Sequence, residues 1–143
     1  MKTPDIVLDT NVIVAALRSK RGASNKVLSL VGTQLFEIHD SVALILEYED
    51  VLQRQRIELG LSQDDVADFI DSLCSIAHHH TIYFSWRPTL SDVNDELVLE
   101  VAVSARCEYI VTHNISDFKG IDQFGIQAIT PGEFLQVIRE VKE

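Results

Sequence analysis

What this 143-residue sequence lacks narrows its class before any motif is read. It has only two cysteines, Cys74 and Cys107. Both lie in apolar, helix-like contexts, which excludes a disulfide framework and predicts two buried free thiols. No stretch reaches the eighteen or so continuous apolar residues of a membrane span, and the N-terminus carries no signal-peptide pattern. A cytoplasmic protein with no membrane attachment is expected. Positive charge is scarce: 12 Lys and Arg against 22 Asp and Glu give a formal charge of -10. That balance argues against DNA binding through a general basic surface. Repeats, linkers and low-complexity tracts are missing too. With 46% hydrophobic residues, the chain is expected to form a single domain over residues 1–143.

Acids are themselves missing from one stretch. None occurs between Asp9 and Glu37, where Arg18, Lys20, Arg21 and Lys26 crowd together. These cations suit contact with phosphates, and equally suit the negative end of a helix dipole.

What is present begins with Ile6-Val7-Leu8-Asp9-Thr10-Asn11-Val12-Ile13-Val14. A β-branched run breaks at Asp-Thr-Asn and resumes, which predicts a buried strand, a turn and a buried helix. Asp9 then stands at the carboxyl end of a strand, where open α/β sheets bind ligands; it could equally cap the next helix. A short helix over Ser24 to Val31 follows, then a strand over Leu35 to His39. Ser41 to Arg54 reads as an amphipathic helix with Glu47 at the border of its apolar stripe. Leu61 to Ala77 is a further helix opened by Ser62. The three histidines 78–80 point in different directions and make a poor single metal site, so a helix-end cluster is expected. Thr81 to Phe84 is strand-like, and Trp86 reads as a packing residue in a loop.

Asp92 to Ala105 is a strongly apolar helix with acids in its first turn. Asp92 is explained as a cap, whereas Asp95 should face the same end of the sheet as Asp9. Tyr109-Ile110-Val111-Thr112 is a strand that also ends in polar residues, His113, Asn114, Ser116 and Asp117. Gly125 to Ile129 supplies a last strand, and Thr130-Pro131-Gly132-Glu133 is a capping box opening the final helix. Short apolar strands alternating with helices indicate an α/β fold around a parallel sheet.

Asp9, Glu47, Asp95 and Asp117 are far apart in sequence, yet three of them lie at strand ends or helix starts that such a sheet would bring to one edge. Two like charges about 4 Å apart repel by roughly 4 kcal/mol at an effective dielectric near 20. Protonation or a divalent cation relieves this, and oxygen-only ligands suit Mg2+ or Mn2+.

The motifs Val7-Leu8-Asp9-Thr10-Asn11-Val12, Leu46 to Leu52, Asp92 to Ala102 and Ile110 to Phe118, in that order, resemble those of PIN-domain proteins. More narrowly, they resemble the PIN-family toxins of bacterial toxin–antitoxin systems. The resemblance implies a PIN-like three-layer α/β/α sandwich with a central, mostly parallel sheet. It also implies a metal-dependent endoribonuclease that cleaves single-stranded RNA through a metal-activated water, an antitoxin partner and a homodimer. Carried over by position, Asp9, Glu47 and Asp95 would be the main acidic ligands, with Asn11 and Thr112 orienting them. Asn114 stands where the family commonly has Asp, so Asp117 is the candidate fourth acid. Val93 replaces a frequent Pro. Arg18, Lys20 and Arg21 are candidates to guide the RNA backbone. The alternative is a PIN fold kept as a protein-binding module with weak or no nuclease activity. A haloacid-dehalogenase-like phosphatase would need a second Asp at position 11, where this chain has Asn.

Overall fold

The computed structural model describes residues 3–82, 90 and 92–142. Trp86 and the end of the strand-like run at Tyr83 and Phe84 lie outside these residues. Strand β1 (Asp5–Leu8) is followed by helices α1 (Thr10–Arg18) and α2 (Ala23–Ser29), then β2 (Glu37–Asp40). Helices α3 (Val42–Leu59) and α4 (Gln63–Ile76) lead to β3 (His78–His79). After α5 (Val93–Ser104) come β4 (Tyr109–Val111), two 3-10 turns, β5 (Gln127–Ile129) and α6 (Pro131–Lys142).

The strands form one sheet in the order β3-β2-β1-β4-β5, and every pairing is parallel. The core is built as the apolar runs require: Ile6, Val7, Ile110 and Val111 are fully buried in the central strands. Helix α5 lies against β1, β2 and β4, and α3 packs on α1 and α4. Phe36 meets Phe134 of α6 edge to face at 5.0 Å. Among the described residues, no helix is long and apolar enough to cross a membrane.

Local chemistry sets the helix ends. The Ser41 hydroxyl accepts from the Leu44 amide at the start of α3, and Gly60 stops that helix at φ 74°, a left-handed conformation that favours glycine. The helix therefore runs past the expected end at Arg54. Ser62 and Asp65 cap α4 reciprocally, as Thr130 and Glu133 cap α6.

The histidine run differs from expectation. Ala77 turns to extended backbone, and His78 and His79 pair with β2 as an edge strand instead of ending a helix. Each junction joins imidazole to carboxylate: His39 to Asp5 at 2.8 Å, His78 to Glu37 at 3.1 Å and His79 to Asp40 at 2.5 Å. These partners come from β1 and β2, so the edge is held by side chains as much as by its short ladder.

Strand order sets the location of the crevice. From β1 the chain crosses to β2 on one side, and from β4 it crosses to β5 on the other. Right-handed crossovers in opposite directions leave the sheet on opposite faces. The loops after β1 and β4 therefore part, opening a crevice beyond the carboxyl ends of those two strands.

Candidate active site

Register delivers the first two residues to this crevice. Leu8 lies opposite Val111, so the next residues on each strand, Asp9 and Thr112, are neighbours although 103 positions apart. The Thr112 hydroxyl donates to Asp9 Oδ2 at 2.8 Å, and both side chains are buried. Asp9 occupies the N-cap position of α1, but its side chain makes no capping hydrogen bond. The capping alternative is thereby set aside: the carboxylate is turned to Thr112.

A small network surrounds that pair. Thr112 Oγ1 accepts from the Asn114 amide at 3.0 Å and is 3.5 Å from Asn11 Nδ2. Asn11 Oδ1 accepts from the His113 amide at 3.3 Å. Asn11 thus ties the loop after β1 to the loop after β4, and Thr112, with one proton to give, directs it to Asp9.

Asp9, Asn11, Arg18, Glu47, Asp92, Asp95, His113, Asn114 and Asp117 all line one cavity of about 530 Å³. The four acids expected from the sequence are brought together, with Asn11 and Asn114 beside them. Glu47 is half-buried on α3, one residue before Tyr48, whose buried hydroxyl donates to the Leu8 carbonyl. Arg18 reaches the cavity from the end of α1 and donates to Gln55 at 3.1 Å. Lys20 and Arg21 sit in the exposed turn beyond α1 and do not line the cavity.

Two titratable residues of the lining go beyond those the sequence assigns to the site. Asp92 caps α5, accepting from the Asn94 amide at 2.7 Å, and faces the cavity as well. Its spacing of three from Asp95, which puts both on one helix face, was the available signal. His113 was passed over because nothing in a lone histidine after a strand marks it.

The acids repel one another. Burial, then Asp9, Asp92 and Asp117, push Asp95 up to about 6. Burial raises Asp9 as well, although hydrogen bonds from Thr112 and the Thr10 amide oppose this. Glu47 is raised by burial first, then by Asp50. The donor set is all oxygen, the type that hard divalent cations take. Among the described residues, however, no three His, Cys, Asp or Glu side chains converge into a ready metal cage. The carboxylates line the crevice and leave it open.

An all-parallel α/β sheet with carboxylates gathered beyond its central strands defines the class. The PIN domain family matches residues 5–116, and the chain belongs to that family, whose members are in general nucleases. Its fold is similar to that of a chain in the crystal structure of VapBC2 from Rickettsia felis bound to a DNA fragment from their promoter. The TM-score is 0.60, with 16% identity over 87% of this chain and 96% of that one, a likeness of fold. No curated protein matches the chain.

Proposed function

We propose that this chain is a Mg2+- or Mn2+-dependent endoribonuclease acting on single-stranded RNA, the toxin component of a toxin–antitoxin pair. The observation that carries the proposal is the meeting of Asp9, Glu47, Asp92, Asp95 and Asp117 in one crevice where, among the described residues, Arg18 is the sole Arg or Lys in the lining. Asp9 and Asp95 would hold the cation, with Asp117 completing the set and Glu47 serving as ligand or base. A divalent cation, when bound, neutralises phosphate charge and makes water a better nucleophile.

The chain's own residues divide the remaining work. Thr112 fixes Asp9 in one orientation, and Asn11 holds the two loops that carry them. Glu47, whose affinity for a proton is raised by burial, can take the proton of the attacking water at its carboxylate. Arg18 offers a guanidinium at the rim to the RNA backbone. The fold-matched VapBC2 assembly supports a partner antitoxin, and a homodimer is the proposed assembly.

The test is cleavage of mixed single-stranded RNAs with Mg2+, Mn2+ or chelator, beside Asp9→Asn and Asp95→Asn proteins. Metal-dependent cutting abolished by both substitutions is expected. An Asp9→Asn protein that cleaved as fast as the parent would sink the proposal.

One observation favours a second function, a PIN fold retained for protein contact: among the described residues the carboxylates are not closed into a cage. Melting in Mn2+ separates the two. A ligand at a hundred times its dissociation constant stabilises by about 2.7 kcal/mol, and a binding module without a metal site gains nothing.

A further inference from the structure

We infer that His113 is a substrate-contacting residue of this crevice, its Nδ1–H donating to a nonbridging oxygen of a nucleic-acid phosphodiester. The inference rests on the nuclease proposal above and adds a residue to which the motifs gave no part.

Backbone and ring are both held. The His113 amide donates to Asn11 Oδ1, tying the residue to the loop that follows Asp9. The ring is fixed on its other side: His113 Nε2 lies 2.7 Å from Ser24 Oγ. Ser24, the second residue of α2, is only 3% exposed, so its hydroxyl proton needs a protein acceptor.

Hydrogen-bond accounting then sets the tautomer. Ser24 has one proton to give, and His113 Nε2 is its sole side-chain partner among the described residues. If Nε2 carried the ring proton, it would donate to Ser24 Oγ and leave the serine O–H buried and unpaired. If Ser24 donates, Nε2 accepts and the neutral ring carries its proton on Nδ1. Nδ1 has no partner among the described residues, while His113 is exposed and lines the crevice with the five carboxylates.

This makes His113 unusual among its neighbours. The carboxylates of Asp9, Glu47, Asp92, Asp95 and Asp117 repel a phosphate, and Asn11 turns its amide nitrogen toward Thr112 Oγ1, 3.5 Å away. A phosphate entering the crevice meets the Arg18 guanidinium at the rim and the neutral donors of Thr10, Asn11, Asn94 and Asn114 in the lining. Nδ1–H is a further donor, already aimed by a buried tether, so little freedom is lost when it binds.

The test uses the full chain labelled with 15N-histidine, in Ca2+, with a short single-stranded RNA as the probe. Before RNA is added, the His113 ring nitrogens should report the Nδ1–H tautomer, and Ser24→Ala should mix the two tautomers. On adding RNA, the His113 Nδ1 signal should shift together with the Asn11 and Asn114 side-chain amides. If the amides shift and His113 does not, the inference is wrong and the nuclease proposal stands. If none of them moves, RNA does not enter the crevice and both fail.

A cleavage series gives a second readout. Asn places a donor near the Nδ1 position, whereas Gln places its amide near Nε2. His113→Asn should keep kcat/KM within about threefold of the parent. His113→Gln and His113→Ala should lower it about tenfold or more, the usual size for a hydrogen bond to a charged group. A structural role alone would reverse this order, because Gln preserves the contact to Ser24. Equal activity across the series would overturn the inference.

Discussion

The Tyr48 hydroxyl donates a hydrogen bond to the backbone carbonyl of Leu8. Tyr48 follows Glu47 on α3, and Leu8 precedes Asp9 on β1, so this one bond sets the spacing between two acids of the crevice. Tyr48→Phe keeps the ring but leaves a buried carbonyl without that donor. It should cost about 1–3 kcal/mol in urea unfolding, with far-UV circular dichroism unchanged. Cleavage should fall in the same protein; unaltered stability would show that the bond carries no weight.

Thr112 directs its only proton to Asp9. Thr112→Val removes that donor and keeps the shape, so Asp9 loses the hydrogen bond that most opposes its raised pKa. The expected outcome is weaker Mn2+ binding by titration calorimetry, about tenfold or more, as for loss of an outer-shell partner. Thr112→Ser should restore most of it.

Removing Asp95 should have opposite effects with and without metal. Its carboxylate faces Asp9, Asp92 and Asp117, so in chelator at neutral pH Asp95→Asn relieves repulsion and should raise the melting temperature. In Mn2+ the parent should gain more than the variant. A variant less stable than the parent in chelator would count against mutual repulsion in the crevice.

The β3 edge predicts a pH dependence. His79 is raised, chiefly by its hydrogen bond to Asp40 and next by the Cys74 carbonyl. Asp40 is raised as well, by burial. A raised folded pKa favours the protonated form, so each contribution is present at low pH and lost as pH rises through the folded value. For His79 that loss begins near its ordinary value of 6.5 and extends above it. His80 is lowered by burial and by His39 and His78, and acts in the opposite sense. His79→Gln should therefore flatten part of the fall in urea midpoint above about pH 6.5, by less than about 1 kcal/mol because the imidazole is half exposed. A parent whose midpoint rises over that range would contradict the assignment.

Among the basic candidates, Arg18 alone lines the cavity. Arg18→Ala should weaken single-stranded RNA binding and reduce the slope of log K against log salt by about 0.7, the single-strand value per phosphate contact. Lys20→Ala and Arg21→Ala, placed in the turn beyond α1, should each change the slope less. Equal effects from all three would point to diffuse attraction.

The strands and most helices were legible because burial writes itself into periodicity: Ile6 to Leu8 and Tyr109 to Val111 stand where their apolar runs fall. Asp9, Asp95 and Asp117 were legible because they follow such a run or open a helix, and Glu47 because it borders the apolar stripe of α3. The histidine strand was not, since its side chains are held by Glu37 and Asp40, partners about forty residues away. Glu96 was hidden for a similar reason. It looks like a first-turn acid, yet it is buried and accepts the Leu90 amide. Local sequence records which face is apolar, whereas a polar side chain turned inward answers to a donor that the fold brings to it.

The register that seats Thr112 beside Asp9 also governs when the crevice can exist. Thr112 and Asp117 are synthesised more than a hundred positions after Asp9. A growing chain that has not reached Asp117 lacks one of the crevice's acids, and the exit tunnel delays their meeting further. The crevice therefore cannot assemble until Thr112 and the turn that carries Asp117 have been made.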